Sequence, residues 1–136
     1  MQAVSIDFSE LEYAFGDQRV YAEHAWYLDR TNGDLVLFNG GKPEIDRFVY
    51  VPPRATRETL ADMRAFAETI TDRVLASSLF RALTERGALR RFKDALLEAP
   101  TEREHWLAFE RERMHAYCKQ WLAARGIAFT SRCVGT

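Results

Sequence analysis

Long hydrophobic runs are missing from this 136-residue chain. No stretch approaches the roughly 18 apolar residues that a membrane-spanning helix needs. The opening "MQAVSIDFSELEYAF" carries acids where a secretory leader needs positive charge. A soluble, cytosolic protein with no membrane partner is therefore expected. Cysteine is scarce: Cys118 falls within a helical pattern and Cys133 near the C-terminus, too few for a disulfide framework and suited to a reducing compartment. Histidine is limited to His24, His105 and His115, which leaves little material for a metal centre. Internal repeats and low-complexity segments are absent as well. Hydrophobic residues at 47% and charged residues at 29% describe an ordinary globular protein and exclude wholesale disorder.

Charge is nearly balanced overall, at −1, but unevenly spread. Residues 1–46 hold nine acids against three bases, a charge of −6, and residues 47–136 hold eleven acids against sixteen bases, a charge of +5. That asymmetry allows head-to-tail association or an anionic partner for the C-terminal part. Lysine is rare, with Lys42, Lys93 and Lys119 the only three, so the positive charge is mostly guanidinium. An arginine-rich solvated surface explains the skew more simply than a dedicated polyanion site.

One domain spanning residues 1–136 is expected, of class α+β. A short helix and antiparallel strands occupy residues 1–53, helices residues 54–126, and a tail residues 127–136. "DFSELEYAF" predicts a helix capped by Ser9 and ending at Gly16. "HAWYLDRTNGDLVLFNGG" predicts a hairpin with Asn32-Gly33 supplying positive φ at a tight turn, and "IDRFVYVPP" a third strand closed by Pro52 and Pro53. From Thr56 the period becomes helical, with Leu60, Met63, Ala67 and Ile70 as one stripe. Asp72 caps a second helix that carries Leu75, Leu79, Ala82 and Leu83. Gly87 interrupts, Ala88 to Leu97 form a further segment, and Pro100 stops it. The "TERE" capping box at Thr101 then opens a long helix to about Arg125, closed by Gly126, and "IAFT" can add a short strand. The expectation is a small antiparallel sheet packed against three to four helices.

Within this layout "ERGALRRFKDAL", residues 85–96, is unusually basic. On a wheel of about 100° per residue, Ala88, Leu89, Phe92, Ala95 and Leu96 share one arc and face the core. Arg86, Arg90 and Lys93 then lie on one flank and Arg91 on the opposite side, with Asp94 between them and within pairing distance of both Arg90 and Arg91. The segment is first an amphipathic packing helix, second an arginine-rich docking surface, and third a nucleic-acid grip. The third is weakest because Phe92 belongs to the core and no stacking aromatic shares the basic flank.

"GALRRFKDAL", preceded by "ADMRAFAETITD" and followed by "HWLAF" and "WLAARGI", resembles a family of small bacterial proteins of unknown function. That family carries a Gly-Ala-Phe-Arg-Arg-Phe-Lys-Asp type motif between a Met-x-x-Phe helix and a helix containing tryptophan. "WYLDRTNGDLVLF" and "VYVPP" are similar to its N-terminal half, so the likeness extends over about residues 8–127, with Leu89 standing where phenylalanine is expected. The resemblance singles out Gly87, Arg90, Arg91, Phe92, Lys93 and Asp94, and implies an architecture without implying a reaction.

The last helix carries Trp106, Leu107, Phe109, Met114, Tyr117, Cys118 and Trp121 over an arc of roughly 180°, which calls for more than one neighbouring element or a second subunit. Glu110 and Arg113 fall inside that arc as a structural pair or a cleft pair, with Arg90 or Arg91 as possible partners of Glu110. His115 and Cys118 have the spacing of two zinc ligands, but only His24, His105 and Cys133 remain as soft donors for the two further ligands a site needs, and no metal or other cofactor is expected. No catalytic residue set emerges. "FNGGKPE" lacks the pattern and context of a phosphate loop, and Asp7, Glu10 and Glu12 have no means of separating their pKa values. The aromatics Trp26, Tyr27, Phe38, Phe48 and Tyr50 suffice for a sheet face, and any excess left uncovered would mark a partner site. Functionally, the sequence favours a non-enzymatic protein-interaction or regulatory module whose polar contact zone is Arg86, Arg90, Arg91, Lys93 and Asp94, binding another protein or itself. The alternatives are nucleic-acid or nucleotide binding through the same flank, and an enzyme acting on an anionic small molecule through Glu110 and Arg113.

Overall fold

A computed structural model of the chain describes residues 3–17 and 24–132. In order it contains β1 (Val4–Ile6), α1 (Phe8–Gly16), β2 (His24–Asp29), β3 (Leu35–Asn39), β4 (Phe48–Val51), α2 (Thr56–Ala67), α3 (Arg73–Thr84), α4 (Ala88–Leu96), α5 (Pro100–Ala124) and β5 (Phe129–Ser131). The class is α+β: a three-stranded antiparallel sheet in the N-terminal half and four helices in the C-terminal half. The chain divides into two compact units, residues 1–54 with 114–136, and residues 55–113.

The first unit holds both sheets. β3, β2 and β4 pair in that order, with Tyr27 opposite Val36 on one side and Tyr50 on the other. Alternation along each strand sends Trp26, Leu28, Val49 and Val51 to the core, where they meet Leu11, Phe15, Trp121 and Leu122. β1 and β5 form a separate parallel pair, Val4 opposite Phe129. The strand expected in "IAFT" is thus present, while Cys133 and the end of the expected tail lie outside the described residues.

Two local expectations are corrected here. The cap of α1 is Asp7, whose carboxylate accepts the Ser9 N–H at 2.9 Å. Phe8 is buried and takes the first helical position, so the cap moves two residues upstream of Ser9. The hairpin turn does not use positive φ at Asn32, because Gly33 alone adopts it there. Instead Asp29 organises residues 30–34: its carboxylate accepts from the Thr31 N–H at 2.9 Å and hydroxyl at 2.6 Å, while its carbonyl accepts the Gly33 N–H at 2.8 Å.

Arg47 closes this turn, its Nε and Nη2 donating to Asp29 at 3.1 and 2.8 Å. These hydrogen bonds, chiefly from Arg47, hold the Asp29 carboxyl down at about 2, against the cost of burial. A depressed carboxyl pKa stabilises the fold above the unfolded value, near 4, and that stability is lost as pH falls through about 2. The Arg47 side chain remains 47% exposed, so water screens the pair. Asp29→Asn is expected to cost about 1–2 kcal/mol at neutral pH. The cost should shrink toward zero between pH 4 and pH 2, which urea unfolding at stepped pH will measure; a deficit unchanged across that range would rule the ion pair out as its source.

The second unit is helical. Met63, Phe66, Ala67, Leu79, Ala82, Phe92, Leu96 and Trp106 form its buried core. Asp72 caps α3 as expected, accepting from Val74 N–H and Leu75 N–H. α5 starts differently from expectation: it begins at Pro100, and the Ala99 carbonyl accepts the Arg103 N–H at 2.8 Å. Proline is pre-set for the first helical position, where no N–H partner is required, so Thr101 lies inside the helix and the "TERE" box does not form its start.

The wide stripe on α5 has a simple cause. Trp106, Leu107 and Phe109 belong to the core of the second unit, and Met114, Tyr117, Cys118, Trp121 and Leu122 to that of the first. One helix serving two cores needs more than one apolar face.

Candidate functional site

Helix α4 is built around Phe92 and Leu96, both fully buried, with Leu89 and Ala95 half-buried beside them. Gly87 precedes it at φ +75, a left-handed turn that β-carbons disfavour, and this starts α4 on a new axis after α3. With the apolar side occupied, Arg86, Arg90, Arg91, Lys93 and Asp94 are all exposed.

They do not form one uniform patch. Arg91 is tied down: its Nε donates to the Arg86 carbonyl at 2.7 Å, and its Nη1 lies 3.2 Å from Glu85. It borders an open cleft of about 440 Å³ between α3 and α4, lined by Ser78, Arg81, Ala82, Glu85, Asp94, Ala95 and Glu98 as well. Three carboxylates and two guanidiniums share that lining, so it does not select an anion. Arg90 is on the other side, its side chain 89% exposed and only 3.8 Å from Asp94. Exposed pairs of this kind hold long side chains weakly.

Leu97, which sequence reasoning left aside, completes the outer side. It follows α4 with helical dihedrals (φ −60, ψ −32) and is 63% exposed. On the wheel it falls between Lys93 and Arg90, giving an i, i+3, i+7 row of cation, cation and leucine. The signal was available in the spacing, but the residue sat at the expected helix end.

The suggested cleft pair fares differently. Arg113 is exposed and lays its guanidinium over the ring of Phe109, a residue of the apolar arc, at 4.8 Å. Glu110 is half-buried, and the structure gives Arg90 and Arg91 other carboxylates as partners.

In the first unit, the His115 ring packs on Phe8 at 4.8 Å. Burial pushes the Cys118 thiol up to about 12, with Glu12 adding to the effect. A thiol held so far from ionisation is a poor nucleophile at neutral pH. Among the described residues, no group of three or more His, Cys, Asp or Glu side chains is placed to hold a metal ion. No described helix is long and apolar enough to cross a membrane. The sheet aromatics split by strand parity: Trp26 turns to the core, while Tyr27, Phe38, Phe48 and Tyr50 form a chain of rings 5.0–5.5 Å apart on the other face.

The model of a family described as "Uncharacterised protein family (UPF0158)" matches residues 1–133. The chain belongs to the UPF0158 family. A relative named UPF0158 protein PA5073, from Pseudomonas aeruginosa PAO1, is 25% identical over 142 residues, covering 97% of this chain and 90% of the relative. No solved structure matches. The resemblance seen around "GALRRFKDAL" is thereby placed in a named family. UPF0158 membership brings no reaction with it, so the functional reading rests on the side chains themselves.

Proposed function

We propose that this UPF0158 protein is a non-enzymatic interaction module that docks an acidic partner protein on the outer side of α4. Arg90 and Lys93 supply the charge, Arg86 extends it from the preceding loop, and Leu97 supplies the apolar anchor. Arg91 and Asp94 frame the zone, with Arg91 braced by Glu85. The observation that carries this reading is the exposed Leu97 between two exposed cations, since interfaces combine a small apolar centre with a charged rim. Nucleic acid fits this surface less well because Phe92, the aromatic residue of α4, is buried and offers the cations no stacking partner.

The test uses the full chain immobilised in soluble extract from its source organism, with light scattering for self-association. Partner retention is expected to fall at least tenfold for Arg90→Glu/Lys93→Glu, as for loss of about 1.4 kcal/mol or more of charge-pair coupling. Leu97→Ser should weaken it comparably, and Arg103→Glu, an exposed site on α5, should leave it unchanged. Equal retention by all variants removes the proposal. Capture that nuclease abolishes, with affinity falling steeply in salt, replaces it with nucleic-acid binding.

A further inference from the structure

We infer that the groove beside α1 in the first unit is a binding site for an alkylated ammonium group. It shares no residue with the rim of α4. The groove has a volume of about 290 Å³ and is lined by Ser9, Glu10, Tyr13, Trp26 and Leu35. That is near the lower bound for small-ligand pockets.

Its lining has the chemistry of a cation trap. The Tyr13 and Trp26 rings stand at 84° with centroids 6.0 Å apart, making an aromatic corner. Aromatic faces attract cations through their quadrupole, and quaternary ammonium groups are seated in such corners. Trp26 is fixed in place because its indole N–H donates to Asp17 Oδ2 at 3.0 Å. Donation to a carboxylate also enriches the ring in electron density, which strengthens its pull on a cation. Tyr13 is 60% exposed, a large apolar ring left at the edge of the groove.

Glu10 sets the sign of the ligand. It lies in the first turn of α1, and its exposed carboxylate puts negative charge on the lining, while no basic side chain among the described residues lines the groove. An anion is repelled, and a neutral apolar group gains nothing from the carboxylate. Leu35 supplies an apolar wall suited to methyl groups. A methylated ammonium has few or no N–H groups to satisfy and turns its methyl groups to Leu35 and the rings, so it gains from that apolar wall what a primary ammonium does not. The shared chemistry is thus a methylated ammonium, whether on a small molecule or on a lysine side chain.

The full chain is titrated calorimetrically with choline, with its neutral isostere 3,3-dimethylbutan-1-ol, and with N-acetyl-trimethyllysine amide against N-acetyl-lysine amide. Choline or trimethyllysine is expected to bind on the order of tenfold more tightly than its neutral or unmethylated counterpart. Tyr13→Leu and Glu10→Gln, both at exposed positions, should each weaken it severalfold with an unchanged circular dichroism spectrum. Stronger binding of choline identifies a small-molecule ligand, and stronger binding of trimethyllysine a protein side chain. Equal binding of the neutral isostere, binding that survives both substitutions, or no binding of either cation overturns the inference and leaves the α4 reading untouched.

Discussion

Phe92→Ala is expected to remove about 3–5 kcal/mol of stability from the helical unit. Phe92 is fully buried, with its ring 5.1 Å from Trp106 and 6.4 Å from Phe66, and those two rings lie 5.4 Å from each other. Truncation opens a cavity at the centre of this aromatic cluster, where neighbouring rings cannot collapse without losing their own contacts. A unit of this size holds only about 3–9 kcal/mol in total, so the variant sits at the edge of unfolding. The urea midpoint, followed by tryptophan fluorescence, will fall while Arg90→Glu/Lys93→Glu stays within about 0.5 kcal/mol of the parent. The contrast separates the two roles within four consecutive residues: one side chain holds the helix in place and its neighbours face water. A Phe92→Ala loss below about 1 kcal/mol would mean that the helix is anchored elsewhere, and the orientation of the basic rim would lose its basis.

That division was legible in the sequence because α4 obeys one period and buries one arc. The hairpin and third strand were legible for the parallel reason, alternation at period two bounded by turn residues. Elsewhere the information was not local. β1 has three residues and finds its partner in β5, with Val4 opposite Phe129, and no short window of sequence registers such a pairing. A wheel cannot resolve α5, because its two halves belong to different cores, and an arc that wide fits a second subunit as well as a second core. The start of α5 was misplaced by one competing rule, since Pro100 reads either as the end of one helix or as the first residue of the next. For the candidate site, the cations were visible as a cluster, yet Arg91 is distinguished from Arg90 only by Glu85 and the Arg86 carbonyl. Those partners depend on the left-handed turn at Gly87, which a helical wheel drawn straight through residue 87 cannot represent.

Gly33→Ala is expected to cost about 3 kcal/mol or more, the larger share of it steric. Gly33 sits at φ +83 in the hairpin turn, where an L-residue bears about 1–2 kcal/mol of strain in any surroundings. Gly40, at φ +89, has open space around it, so Gly40→Ala isolates that backbone contribution. At Gly33 an added β-carbon would come within 2.1 Å of the Ser5 carbonyl oxygen and 2.9 Å of its carbon. Ser5 cannot easily retreat, because it lies within β1 and the same carbonyl oxygen accepts from Arg132 Nη2 at 2.7 Å. Relief therefore requires either displacing β1 from β5 or opening the Asp29-centred turn. Thermal unfolding of the two glycine variants side by side is the measurement. For a protein of this length each kcal/mol moves the midpoint by about 3–5 °C, so Gly33→Ala should melt roughly 10 °C below the parent and Gly40→Ala within a few degrees of it. Equal shifts for both would mean that the turn does not press on β1, and that the glycine is there for its dihedral alone.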